Sequence, residues 1–277
     1  MKKIRALSVL NAIAFLVQVS MTWLVQLKLV NDYTVAEVSD KYPSLFTPAG
    51  ITFAIWGIIY AGLAGLCIYH IVKAWKKWTN HATNADTERM GEWFVLSNVT
   101  AAFWLLAWVD EEIGLSVVLM FVQLLCLIII NRRLGIYDSR RSVASKLLTQ
   151  FPLSIYFGWI TVATIANLNC YLNSTDWDGW GLDPVDWTTI LIGVTVFISV
   201  LVMTIRRNIF FGLVVIWALY GIIIKLSAAD PILYYHILRT AWIGISVLAL
   251  VAVLRIIKNW VSVKHNEPFP VASQSLK

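Results

Sequence analysis

The chain has 277 residues, 59% of them hydrophobic and 14% charged, with a net charge of +6 and a mean hydropathy of +0.72. Soluble domains carry about 25% charged residues, so this composition excludes a soluble globular protein and specifies an integral membrane one. The positive charge does not mark a nucleic-acid partner, because the basic residues fall where topology signals fall.

Met1 to Arg5 is short and basic, and residues 6–28 are mostly apolar, interrupted by Asn11, Gln18 and Gln26. This run is longer than a signal-peptide core and no Ala-x-Ala site follows it, so it is read as an uncleaved first span. A window of about 20 residues then predicts eight spans: about 6–28, 48–74, 92–109, 113–134, 146–172, 187–205, 209–226 and 233–258. The second opens on PAGITFAIWGIIY, residues 48–60. Pro48 suits the first turn of a helix, where a missing N–H costs nothing. Pro48, Thr52, Trp56 and Tyr60 recur every four residues and so share one helix face.

The third span reads EWFVLSNVTAAFWLLAW, in which Trp104 and Trp108 share a face and Asn98 lies at membrane depth. Only Asp110, Glu111 and Glu112 separate it from the fourth span, which predicts a tight hairpin with an acidic tip. A solvated, topology-setting tip is preferred there over a cation site. The fifth span, FPLSIYFGWITVATIANLNCYLN, sets Tyr156 and Trp159 three apart and carries Asn167 and Asn169, with Asn173 near the outer end. A buried amide in lipid must find partners. These amides either join helices or form the polar wall of a ligand cavity, and the residues alone leave both open.

Residues 174–186 form an outer loop, rich in turn residues and Trp, at the membrane interface. The polar tail from about 262 is expected to be disordered. Cys67, Cys126 and Cys170 fall within spans and read as small buried hydrophobes, without a disulfide framework or zinc site. His70 and His236 are expected on opposite sides of the membrane and cannot share a metal. No Ser/His/Asp set, phosphate loop or HExxH is present, so no catalytic residue and no metal ligand is assigned. No ionisable residue falls in mid-span, which argues against a proton pump or a voltage sensor.

The loops fix the orientation. Lys2, Lys3 and Arg5, then Lys73, Lys76, Lys77 and Arg89, then Arg132, Arg133, Arg140, Arg141 and Lys146, then Arg206 and Arg207, and finally Arg255, Lys258, Lys264 and Lys277 place 18 of the 22 basic residues on one side. The other side holds Lys28, Lys41, Lys225 and Arg239, with the acidic tip and Asp176, Asp178, Asp183 and Asp186. This alternation predicts both ends in the cytoplasm of a multi-pass inner or plasma membrane protein.

Segments one to five resemble the tryptophan-rich sensory protein and translocator family, TspO/MBR, formerly the peripheral benzodiazepine receptor family. That family's second helix carries Pro-Pro-x-Trp-Val-Phe-x-x-x-Trp-x-x-x-Tyr. Pro48, Trp56 and Tyr60 match at the family spacing, Phe53 is displaced by one, and Gly50 stands at the first Trp. Asn98 matches the third-helix Asn, with Ala101 at the family's Trp position and Trp104 one turn on. Trp159 and Asn167 match the fifth helix, which ends in a similar Leu172-Asn173, while a Pro-Tyr pair is scrambled into Pro152 and Tyr156.

The resemblance covers about residues 6–173 and implies an all-α fold with a TspO-like five-helix core at 1–173. Residues 187–261 would add three helices without a counterpart in the five-helix family, packed beside its cavity and not lining it. Family members bind porphyrins, cholesterol-like lipids or synthetic ligands beneath the first outer loop. The resemblance therefore implies a ligand site lined by Trp56, Tyr60, Asn98, Trp104, Tyr156, Trp159 and Asn167, with Phe46 and Pro48 as a lid. It implies no obligatory cofactor, a tetrapyrrole (porphyrin or heme) as ligand, and sensing, regulation or translocation rather than catalysis. With Gly50 in place of the family Trp, little light-driven tetrapyrrole degradation is expected. The expected partners are membrane lipid and a small hydrophobic ligand, with no nucleic acid; a homodimer stays open. The alternative is a permease or transporter subunit for a small hydrophobic solute, for which no clear internal repeat is found.

Cysteine labelling of intact cells is expected to reach residues 110–112 and 174–186 and to spare both ends of the chain; an externally labelled C-terminus would overturn the eight-span topology.

Overall fold

The computed structural model describes residues 1–76, 82–135, 141–175 and 177–264, with side chains through residue 258. Its helices are α1 (Lys2–Gln26), α2 (Val35–Lys41), α3 (Ile55–Trp75), α4 (Ala82–Met90), α5 (Trp93–Val109), α6 (Ile113–Leu134), the single turn α7 (Val143–Ser145), α8 (Phe151–Ser174), α9 (Pro184–Ile205), α10 (Ile209–Ala229) and α11 (Tyr235–Lys264). A 3-10 turn, Gly50–Ala54, precedes α3, a π-helical turn, Lys146–Gln150, leads into α8, and a second 3-10 turn spans Gly179–Gly181. No strand occurs among the described residues. Seven helical segments are long and apolar enough to cross a membrane; α4 and α5, bent by 50° at their junction, make an eighth if taken together. The protein is therefore an all-α, multi-pass membrane bundle. The tail expected to be disordered from 262 is helical through Lys264, and the rest of it lies outside the described residues.

Local chemistry explains most helix ends. Asp183 caps α9 by accepting from the Val185 and Asp186 amides, with Pro184 in the first turn. Gly135, at φ 55°, closes α6 after Arg132 and Arg133, whose charges favour a helix C-terminus. The expectation for Pro48 is corrected: it lies ahead of the helix, which starts with the 3-10 turn at Gly50. The reason is tertiary, since the Ala49 amide bonds to the Gly221 carbonyl of α10 at 3.0 Å. Two short helices also occupy stretches read as loops. α2 has a complete capping box between Thr34 and Glu37. α4 has no apolar stripe, yet Thr83, Asn84, Asp86, Thr87 and Met90 are buried.

α8 is the central helix, in contact with α3, α6 and α10, while α1 packs on α3 and α5, and α9 and α11 flank α10. Burial follows this order: 67% of the α8 window is buried, 61% of the α10 window and 22% of the α11 window. In lipid, helices associate by close packing rather than by a hydrophobic driving force. Gly158 shows it: a Cβ there would lie 3.1 Å from the Phe211 carbonyl oxygen, tighter than side chains usually pack, so α8 and α10 approach closely here. At the basic face, the His70 ring nitrogens meet the Thr87 hydroxyl of α4 at 2.8 Å and the Thr149 hydroxyl of the π turn at 3.0 Å. Asp86 pairs with Arg141 there. These contacts hold α4 across the base of the bundle.

At the opposite face, the segment from Asn31 to Thr47 is tied down from several helices. Trp108 Nε1 donates to the Val35 carbonyl at 3.0 Å, and Asn31 Nδ2 to Asp110 at 2.8 Å. Glu111, at φ 60°, accepts from Lys41 and, at 2.9 Å, from the Tyr42 hydroxyl. Asn169 Nδ2 donates to Ser44 Oγ at 2.8 Å, and Asn173 Nδ2 to the Pro43 carbonyl at 2.9 Å. The acidic tip, preferred above as a solvated turn, thus holds the loop. Lys41, and then Tyr42, keep the Glu111 carboxyl below the usual range. Hydrogen bonding to Glu111 in turn raises Lys41. Lys28, then Thr34, hold Glu37 down at about 2.

The carboxylate share of this attachment is present above the ordinary carboxyl value of 4.5 and is lost as pH falls through the lowered folded values. The Lys41 share is present below its ordinary 10.5 and is lost as pH rises through its raised value. A spin label at Asp32→Cys is expected to be immobile near pH 7 and to gain mobility as pH falls from 4.5 towards about 2. Glu111→Gln should free it at neutral pH. An immobile label in that variant would show that the tip does not hold the loop.

Candidate functional site

The residues expected to line a ligand site separate into two groups and a loop. In the first group, Trp56 and Tyr60, one turn apart on α3, stack with ring centroids 5.2 Å apart. Tyr156 and Trp159 of α8 meet Trp56 edge-on at 6.2 and 6.3 Å. Phe53 stands edge-on to Trp159 at 5.6 Å, and Phe15 of α1 lies 6.5 Å from Tyr60. Three helices therefore converge on one aromatic cluster. The edge-to-face geometry suits ring quadrupoles.

Polar groups edge this cluster. The Tyr60 hydroxyl accepts from Gln18 Nε2 at 3.3 Å and shares a hydrogen bond with Thr22 at 3.1 Å. Gln123 Nε2 donates to the Tyr156 hydroxyl at 2.5 Å. Several buried atoms are left over. Gln18 Oε1, Asn98 Oδ1 and Trp159 Nε1 have no hydrogen-bond partner among the described residues. Asn98 is fully buried, and its Nδ2 only returns to the Phe94 carbonyl of its own helix at 2.7 Å. Leaving such a group unpaired costs about 1–3 kcal/mol, and in lipid no water is at hand to relieve it.

The second group is already complete. Trp104 Nε1 donates to Asn167 Oδ1 at 2.9 Å, and Asn167 Nδ2 donates to Ser116 Oγ at 2.9 Å. Trp104 also stacks on Trp108 at 5.6 Å. Asn167 thus engages both ends of its amide in joining α5, α6 and α8, while Asn169 joins the loop and Trp187. Of the two readings open for these amides, the helix-joining one describes their contacts. Phe46 and Pro48 are buried in the loop, and Pro48 abuts Gly221 of α10.

Gln18, Thr22, Gln123 and Ser116 are absent from the expected set. Their signal was present, since each is a polar side chain inside an apolar span, as Asn98 and Asn167 are. Trp217 of α10 also reaches this region: its Nε1 donates to the Thr52 carbonyl at 2.9 Å, on the turn that leads to Trp56. An open groove of about 650 Å³ lies at the basic end, lined by Lys3, Leu7, Leu10, Glu88, Trp93, Arg133 and their neighbours, and none of the expected site residues borders it. Among the described residues, no group of three or more His, Cys, Asp or Glu could hold a metal ion.

The sequence model of the family described as TSPO-like protein matches residues 8–254, running through the last three spans as well as the first five. No curated protein and no solved structure matches the chain.

Asn167→Leu leaves Trp104 Nε1 without its acceptor and Ser116 without its donor. The variant is expected to lose about 1–3 kcal/mol of stability, read from unfolding in detergent; parental stability would show that the bridge contributes nothing.

Proposed function

The chain belongs to the TSPO-like protein family, and from that premise we propose that it binds a flat hydrophobic ligand, a tetrapyrrole or a lipid-like molecule, between α1, α3 and α8. It acts as a sensor, regulator or translocator and not as an enzyme. The observation that carries this reading is Trp159: its indole N–H is buried, has no acceptor, and belongs to a cluster of rings from α3 and α8. A flat ligand with polar edge atoms offers ring faces to Trp56 and Tyr60 and an acceptor to Trp159. Ligand pockets combine apolar walls with a few such fixed polar groups. The rings touch one another here, so entry separates them and replaces ring–ring with ring–ligand contact. The Trp104–Asn167 pair supports the helices behind the site, and Phe46 and Pro48 belong to the cover above it. In this reading the protein lies in the inner or plasma membrane with both ends cytoplasmic, and membrane lipid and the small ligand are its partners.

Titration of the purified protein with protoporphyrin or heme, followed by Trp quenching, tests the reading. Trp56→Phe and Trp159→Phe conserve most of the volume, so a packing role leaves stability and affinity nearly unchanged. At a stacking site they weaken affinity by about 0.5–1.5 kcal/mol. Unchanged affinity in both variants, at normal thermal stability, would place the ligand elsewhere.

A further inference from the structure

α10 carries a lysine, Lys225, one turn from its end and inside a span. An ionisable side chain at such depth is costly and calls for a partner. Its ammonium has three donors. Two of them go to the Ser44 and Thr47 carbonyls of the outer loop, each at 3.1 Å. No carboxylate comes within ion-pair distance of it among the described residues; Asp40 is only within electrostatic reach. A second observation falls at the same place. The Thr47 hydroxyl is buried and makes no hydrogen bond of ordinary geometry; its polar neighbour is the Cys170 thiol, a weak partner, although the carbonyl of the same residue holds the ammonium. The Thr52 hydroxyl, on the turn leading to Trp56, is buried without a partner as well.

We propose that Lys225 and Thr47 form an anion-recognition point that takes a carboxylate of the ligand, so that the protein selects amphipathic acids: molecules with a flat apolar body and an acidic end. This rests on the ligand reading above. One ammonium N–H and one hydroxyl match the two oxygens of a carboxylate, and a charge-assisted bond in a partly desolvated setting is the stronger kind. The placement agrees with that class. Thr52 is one turn before Trp56, and Trp217 and Gly221 of α10 hold the Thr52 turn and the Ala49 amide, so the acid end lies beside the aromatic cluster. The cation comes from α10, a helix outside the proposed aromatic cluster.

The plainer role for Lys225 is to cap two loop carbonyls, and the test separates the two. The full-length protein in detergent is titrated with protoporphyrin IX and with its dimethyl ester, which keeps the flat body and removes the charge. The parent is expected to prefer the acid by about tenfold or more, the size of one charge-assisted hydrogen bond. Lys225→Gln keeps donors for the carbonyls but not the charge; it should abolish the preference while leaving ester affinity in place, and Lys225→Arg should retain it. Equal affinity for acid and ester in the parent, or a Gln variant that weakens both equally, overturns the anion site and leaves the pocket standing. Binding of neither probe overturns the pocket reading and this proposal with it.

Discussion

Every polar group buried in this bundle must be answered by another part of the chain, because hydrocarbon supplies no water to do it. Helix association in lipid otherwise rests on close packing alone. The central helix shows the effect at successive levels. Thr149, just before it, meets His70, and Tyr156 meets Gln123. Asn167 joins Trp104 and Ser116, and Asn169 joins Ser44 and Trp187. Together these bonds fix the rotation of α8 against its neighbours, and Tyr156 and Trp159 face Trp56. The atoms that the rule leaves unanswered, Trp159 Nε1 and Asn98 Oδ1 among them, stand out against this background.

The outer loop obeys the same requirement by other means. It has little regular structure of its own beyond α2, so side chains from α5, α8 and α10 satisfy its carbonyls, and the acidic tip holds its side chains. A loop held in this way is most sensitive where one residue carries more than one of those bonds, as Glu111 does. α10 contributes most directly, through Lys225, Trp217 and the Gly221 carbonyl. The last three spans are thereby tied to the start of α3 and not merely placed next to it.

Much of this was legible in the residues. Trp56 and Tyr60, four apart, do stack, as do Trp104 and Trp108. Tyr156 and Trp159, three apart, do face the same neighbour. The capping box that starts α2 was also present in Thr34 and Glu37, since cap chemistry is local. α4 was not legible. Its buried side chains are polar, and they are buried because His70 and Arg141, distant in sequence, come to meet them. Pro48 misled for a similar reason, since the bond that keeps it out of the helix comes from Gly221.

The apolar helices and the pairing of rings along one helix follow from hydropathy and the 3.6-residue period, which act within about twenty residues. Those features the sequence by itself determined. Which amide is engaged and which is left open is another matter. Asn98 and Asn167 are the same residue type, each inside a span, yet Asn167 bridges three helices and Asn98 returns to its own. Only the tertiary structure decided between them, because a hydrogen bond forms at about 3 Å or not at all, and that distance depends on how separate helices turn against one another.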